Sequence, residues 1–210
     1  MDAPTERSPY LAVVASALLA LGFALLVAWG PEAFFALAAP VCAAWMGASA
    51  LAAPPGLRAR LVPRAADVGL GLATALVLYA GARAFLWASC GGFTDALCDP
   101  LEGTLDRFQA RSIPAALVIG LLLAPAEELF WRGVVQARLA ARLGPGRGVA
   151  AAVALAVALS LLTGEPFLAL AMVPTYAAWG ALAAWRRSLV PALVSHAAWS
   201  VLIASVAPPG

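Results

Sequence analysis

Lysine is absent from this chain of 210 residues, histidine occurs once and cysteine three times. All 13 basic residues are therefore arginine, and against 11 acidic residues they leave a net charge of +2. So small and dispersed a positive balance excludes a nucleic-acid-binding surface. Three cysteines are too few for a disulfide-stapled scaffold. Charged side chains make up only 11% of the chain, where soluble domains carry about 25%. What fills the space is 63% hydrophobic residues, with a mean hydropathy of +0.91, which excludes both disorder and a soluble globular domain. A multi-pass membrane protein remains, and in such a chain every charge inside the bilayer needs a reason.

A bilayer core of about 30 Å takes roughly 20 apolar residues per helix, and the chain offers about seven such stretches. They run about Tyr10–Trp29, Ala33–Ala53, Val68–Ser89, Ser112–Ala137, Val149–Thr163, Phe167–Trp185 and Leu189–Val206. Pro, Gly and Arg punctuate the gaps, and the Ala/Leu-rich segments show none of the alternation of strands. The first run is longer than a signal peptide's apolar core, and Asp2 and Glu6 offset Arg7 before it, so it reads as a retained helix. Arginine then sets the orientation. Arg58, Arg60 and Arg64 follow the second span, Arg138, Arg142 and Arg147 the fourth, and Arg186 and Arg187 the sixth. With Arg7, that is nine of the 13 arginines on one side. The intervening loops are acidic or neutral, with Glu32, Glu165 and the Asp95, Asp99, Glu102, Asp106 group. The expected fold is thus an all-α polytopic membrane domain spanning 1–210, N-terminus inside and C-terminus outside. Its expected location is the cell membrane, a bacterial inner membrane. The long outer loop, about Cys90 to Arg111, holds Cys90 and Cys98, which a disulfide or two free thiols would fit equally. Cys42 reads as a packing residue.

Sorted against these spans, four charges fall inside: Arg83, Glu127, Glu128 and Arg132. Arg83 sits near the outer end of its helix, within snorkelling reach of the interface. The other three share one helix under Pro125. Glu128 and Arg132 stand i,i+4, so their side chains meet on one face with the acid N-terminal to the base. Glu127 points about 100° away and is left without that partner. A carboxylate kept from both water and cations takes up a proton readily, as a general base must. A plain ion pair between helices is the alternative; two adjacent carboxylates favour a site. The single histidine, His196, lies in the last span. Glu127 is about 22 Å below the outer end of its helix and His196 about 10 Å above the inner end of its own, at 1.5 Å per residue. Both therefore reach a similar depth. Ser200 lies one turn beyond His196 on the same face, with a hydroxyl to donate.

Glu127-Glu128-x-x-x-Arg132-Gly133, followed by a histidine in the last helix, resembles the CPBP family of intramembrane proteases. That family includes CAAX prenyl endopeptidases of the Ras-converting type and bacterial relatives linked to bacteriocin processing or protein sorting. The resemblance covers about Ile113 to Ala204, including the approach Arg187-Ser188-Leu189-Val190-Pro191 to His196, and implies a protease-like core at about 112–206. It implies hydrolysis of a peptide bond by a glutamate-activated water. Glu127 would be the base, Glu128 and Arg132 its supporting pair, and His196 and Ser200 the groups on the oxyanion side. Two positions depart from the family. Its middle motif, Phe-x-x-x-His, falls on Thr163 and Phe167, and the asparagine of its last motif falls on Ser200. Glu165, near the vacant histidine position, reads as an exposed loop carboxylate. No metal or other cofactor is expected, because zinc usually takes three or four protein ligands, and only His196 and two adjacent glutamates are at hand, one of them, Glu128, committed to Arg132. The expected partners are a hydrophobic peptide or membrane-anchored protein substrate and the lipid bilayer, not nucleic acid. Two other functions fit the same residues: a catalytically impaired relative acting as membrane chaperone or immunity factor, and a small proton-coupled transporter.

Overall fold

The computed structural model describes residues 31–92, 97–108 and 113–205, together with residues 14, 17, 18, 21 and 22. Most of the first expected span, along with Asp95 and Arg111, lies outside the described residues. Among the described residues every regular element is a helix and none is a strand. The helices are α1 (Pro31–Ala52), α2 (Leu57–Arg60), α3 (Ala65–Trp87), α4 (Cys98–Phe108), α5 (residues 113–143), α6 (Pro145–Leu161), α7 (Pro166–Arg186) and α8 (Val190–Ser205). Among the described residues, two stretches are long and apolar enough to cross a membrane, Ala65–Gly91 and Pro166–Arg186.

Six expected spans correspond to α1, α3, α5, α6, α7 and α8, with shifted ends. The fourth span continues from Ala137 to Leu143 because Gln136-Ala-Arg-Leu-Ala-Ala-Arg-Leu is made of strong helix formers. Arg138 and Arg142, read from the sequence as loop residues, are therefore helical. Pro145 opens α6, where its missing N–H costs nothing, so Arg147 also lies in a helix. The long outer loop is not loop throughout. It holds α4, an amphipathic helix that sets Leu101 into the interior. A disulfide joins Cys90 to Cys98 with their Cα atoms 4.8 Å apart, which resolves the choice the sequence left open. The chain turns into that bridge through Gly91, whose φ of 114° suits glycine alone.

α8 occupies the centre. It lies along α3 and is flanked by α7 and the first half of α5, while α6 pairs with α7 and with the second half of α5. Against α3 the approach is close: a Cβ on Gly71 would stand 2.7 Å from the Pro191 carbonyl oxygen and 2.8 Å from Val194 Cβ. The core gathers Cys42 and Trp45 of α1, Phe130 and Trp131 of α5, Tyr176 and Trp179 of α7, and Leu189 before α8. At the arginine-rich end, polar ties fix the helix termini. Arg186 Nε donates to the buried Asp67 Oδ1 at 2.8 Å, linking α7 to α3. Arg138 Nη2 donates to the Ala52 carbonyl at 2.7 Å, and the Leu189 N–H to the Arg60 carbonyl at 2.8 Å.

α5 is not a uniform α-helix. Pro125 has no N–H to offer Leu121, so the ladder must shift there. The shift is visible as a π-helical stretch, Ile119–Leu123, in which the Ala124 N–H reaches back five residues to Ile119. A second stretch, Leu129–Val135, closes with the Gln136 N–H bonded to Trp131. The two π stretches bracket Glu127 and Glu128, and such bulges concentrate at functional sites.

Candidate active site

α5, α7 and α8 converge on one polar cluster inside an otherwise apolar bundle. Glu128 is 0% exposed and Arg132 2%, so neither charge has water to lean on. Their compensation is mutual: Arg132 Nη1 donates to Glu128 Oε1 at 2.9 Å, the i,i+4 contact that the spacing dictates. The guanidinium spends its other arm on α7, where Nη2 donates to the Tyr176 carbonyl at 3.1 Å. Its Cζ lies 4.2 Å from the centroid of the Tyr176 ring, a cation–π contact in a desolvated setting.

His196 of α8 reaches the same carboxylate. Its Nδ1 stands 2.9 Å from Glu128 Oε1. Where Nδ1 donates in this contact, the other ring nitrogen, Nε2, faces the second glutamate. Nε2 is 3.6 Å from Glu127 Oε2. The imidazole lies flat on Trp179, with centroids 3.8 Å apart and planes at 16°. Trp179 in turn donates its Nε1–H to Ser195 Oγ at 3.0 Å. The ring is therefore held at its edge by Glu128 and on its face by Trp179, which Ser195 anchors in turn. The depth comparison that paired His196 with Glu127 corresponds to a real proximity.

Glu127 departs from expectation in one respect. It is not without a partner, because the Tyr176 hydroxyl donates to its Oε2 at 2.7 Å. It also keeps an opening: at 16% side-chain exposure it is the least buried member of the cluster. It faces a cavity of about 790 Å³. Glu127, His196 and Ser200 lie on its wall beside Trp131, Tyr176 and Trp199, while Leu78, Phe85, Leu123 and Leu159 make much of the remainder apolar. α4 contributes Leu101, Thr104 and Leu105 to the same wall. The cluster thus offers a carboxylate base, an imidazole nitrogen and a hydroxyl at the edge of an apolar chamber. Such an arrangement can polarise a water against a hydrophobic substrate.

Residues 109–202 match the family described as type II CAAX prenyl endopeptidase Rce1-like. The likeness to this family covers residues 109–202, less than half of the 210-residue chain. No curated protein and no solved structure matches the chain. The Rce1-like segment begins just before α5 and ends within α8, so it holds Glu127, Glu128, Arg132, Tyr176, His196 and Ser200 together. Membrane embedding and proteolysis are the properties of this family.

Within the Rce1-like segment, Thr163 and Phe167 line the cavity with Glu127, so the stretch lacking a histidine still faces the site. Glu165 is a correction. It is 8% exposed rather than an open loop carboxylate, and it accepts a hydrogen bond from Thr104 Oγ1 at 3.2 Å. The cause is α4, which covers it and which the sequence hides within a loop. Among the described residues, the His, Cys and carboxylate atoms close enough to share one ion are those of Cys90, Cys98 and Glu102, where the two sulfurs are already joined. Sequence reasoning missed Tyr176. The signal was available: it sits ten residues from either end of α7, about 15 Å, a hydroxyl at mid-helix among apolar neighbours.

Proposed function

We propose that this protein is an intramembrane endopeptidase in which Glu127 is the general base. The observation that carries the reading is Glu127 itself, a carboxylate at the wall of an apolar cavity beside His196, within a segment whose family is named for endopeptidases. Glu127 takes a proton from water as the water oxygen bonds to the scissile carbonyl carbon. Glu127 passes that proton to His196 Nε2, 3.6 Å from its Oε2, and the Nε2–H and the Ser200 hydroxyl then donate to the developing oxyanion. Collapse breaks the C–N bond, and the proton passes to the leaving nitrogen, giving a carboxylic acid and an amine. Glu128 and Arg132 hold His196 in place. The substrate is a hydrophobic peptide or the C-terminal membrane tail of another protein, for which the apolar lining is suited. The chain acts as one multi-pass domain of about seven spans in a cell membrane, its catalytic part at about 112–206.

A second reading, a relative that binds hydrophobic segments without cutting them, draws on Thr163 and Phe167 standing where the family's middle motif has its phenylalanine and histidine. One experiment separates the two. The purified protein in detergent is incubated with a quenched-fluorescent prenylated CAAX peptide and with peptides ending in an apolar helix. Cleavage by the wild type that falls about 100-fold or more in Glu127→Gln, with unfolding temperature preserved, supports the base. Cleavage retained in Glu127→Gln removes Glu127 from that role. Peptide binding without cleavage by the wild type favours the second reading.

A further inference from the structure

Tyr176 is a tightly held side chain on the cavity wall, and its constraint has a direction. Arg132 grips the residue twice, over the ring face at 4.2 Å and through the backbone carbonyl at 3.1 Å. Trp131, Trp179 and His196 surround the ring, with centroids 6.0, 5.6 and 6.4 Å away. At 4% exposure the side chain is buried, with one edge on the cavity wall. Its hydroxyl is thereby aimed at Glu127 Oε2, 2.7 Å away. His196 Nε2 approaches that same oxygen. No hydrogen bond from the described residues reaches Oε1, although Glu127 faces the cavity. The two carboxylate oxygens thus have different surroundings, one held and one free.

That asymmetry matters because the terminal torsion of a glutamate is soft and broad. A base must present its free oxygen within about 3 Å of the proton it takes, and small misplacements of catalytic groups cost up to about 100-fold in rate. A hydrogen bond from a fixed donor to an ionised acceptor in low dielectric is strong enough to lock the torsion.

We propose that Tyr176 is a positioning residue for Glu127: its hydroxyl anchors Oε2 so that Oε1 is presented to the cavity. The role as positioner of a base rests on the protease reading, whereas the anchor does not, and the two are separable.

The test uses the full-length protein in detergent micelles and the variant Tyr176→Phe, which keeps the ring under Arg132 and deletes only the hydroxyl. The first readout is independent of catalysis. Dicyclohexylcarbodiimide modifies carboxyl side chains in apolar surroundings, and peptide mass spectrometry reads its attachment at Glu127, with Glu127→Gln as the blank. Released from its anchor, Glu127 in Tyr176→Phe is expected to label several-fold faster than wild type. Replacing Tyr176 by 3-fluorotyrosine, equal in shape and a stronger donor, is expected to slow labelling. Unchanged rates in both variants overturn the anchor, since a ring that merely packs would give that result. The second readout is hydrolysis of the peptide whose cleavage Glu127→Gln abolishes: kcat falls about 10- to 100-fold in Tyr176→Phe while KM holds. Altered labelling with normal kcat overturns the positioning role. Altered labelling with no hydrolysis by the wild type supports the anchor and overturns the protease reading.

Discussion

Arg132 bears more of the site than its single helical pairing suggests. It neutralises Glu128, caps the Tyr176 carbonyl and lies over the Tyr176 ring, so one guanidinium joins α5 to α7 with no water to screen it. Removing one member of a buried pair strands the other, at a cost of about 3–5 kcal/mol. Arg132→Met is expected to destabilise the protein by that order, read as a fall in unfolding temperature in detergent. Glu128→Gln combined with Arg132→Met should recover part of the loss, because the double variant leaves no stranded charge. Strict additivity of the two single losses would contradict the pairing. This ion pair was legible in the sequence, since i,i+4 spacing is a local rule. The rest of the cluster was not equally so. His196 could be placed near Glu127 by depth alone. Tyr176 and the pairing of buried Asp67 with half-buried Arg186 depend on contacts across 49 and 119 residues that no local spacing encodes.

Helix–helix approach decides whether those residues meet, and glycine sets the approach of α3 to α8. Gly69 and Gly71 look equivalent in the sequence, as a Gly-x-Gly pair that permits association. The structure separates them. A methyl group at Gly71 would collide with Pro191 and Val194 of α8, whereas nothing lies within 4 Å of one at Gly69. Gly71→Ala is therefore expected to destabilise by about 1–3 kcal/mol through overpacking. It should also lower activity, because α8 carries His196. Gly69→Ala is expected to stabilise by up to about 1 kcal/mol through helix propensity. Thermal unfolding of both in the same detergent checks the opposite signs; equal effects would show that the contact does not limit packing. The elements themselves were readable from apolar run lengths, except where that signal is blind. α4 was hidden because an 11-residue amphipathic helix between two spans looks like polar loop. The π stretches of α5 were hidden because they change the ladder without changing composition; only Pro125 hinted at them.

On the scale of the whole molecule, the arginine pattern and the disulfide bear on one question: which end of the bundle faces which compartment. Arg58, Arg60, Arg138, Arg142 and Arg186 all belong to helix ends or connections at one end of the bundle, where Arg186 reaches Asp67 and Arg138 reaches Ala52. Cys90 and Cys98 belong to the opposite end of α3. The proposed orientation, with the first end in the cytoplasm, satisfies both the positive-inside bias and the preference of a structural disulfide for an oxidising compartment. The orientation makes a definite prediction. Alkaline phosphatase fused after Ser205 or inserted near Leu97 should be active, since it matures only outside the cytoplasm, while a fusion at Gly144 should be inactive. Thiol counting on unreduced protein should find one reactive cysteine after denaturation, Cys42, and three after reduction. An active fusion at Gly144 would invert the molecule and put Cys90 and Cys98 in a reducing compartment. The cavity wall contributed by α4, which the bridge ties to the end of α3, would then have to form without its tether.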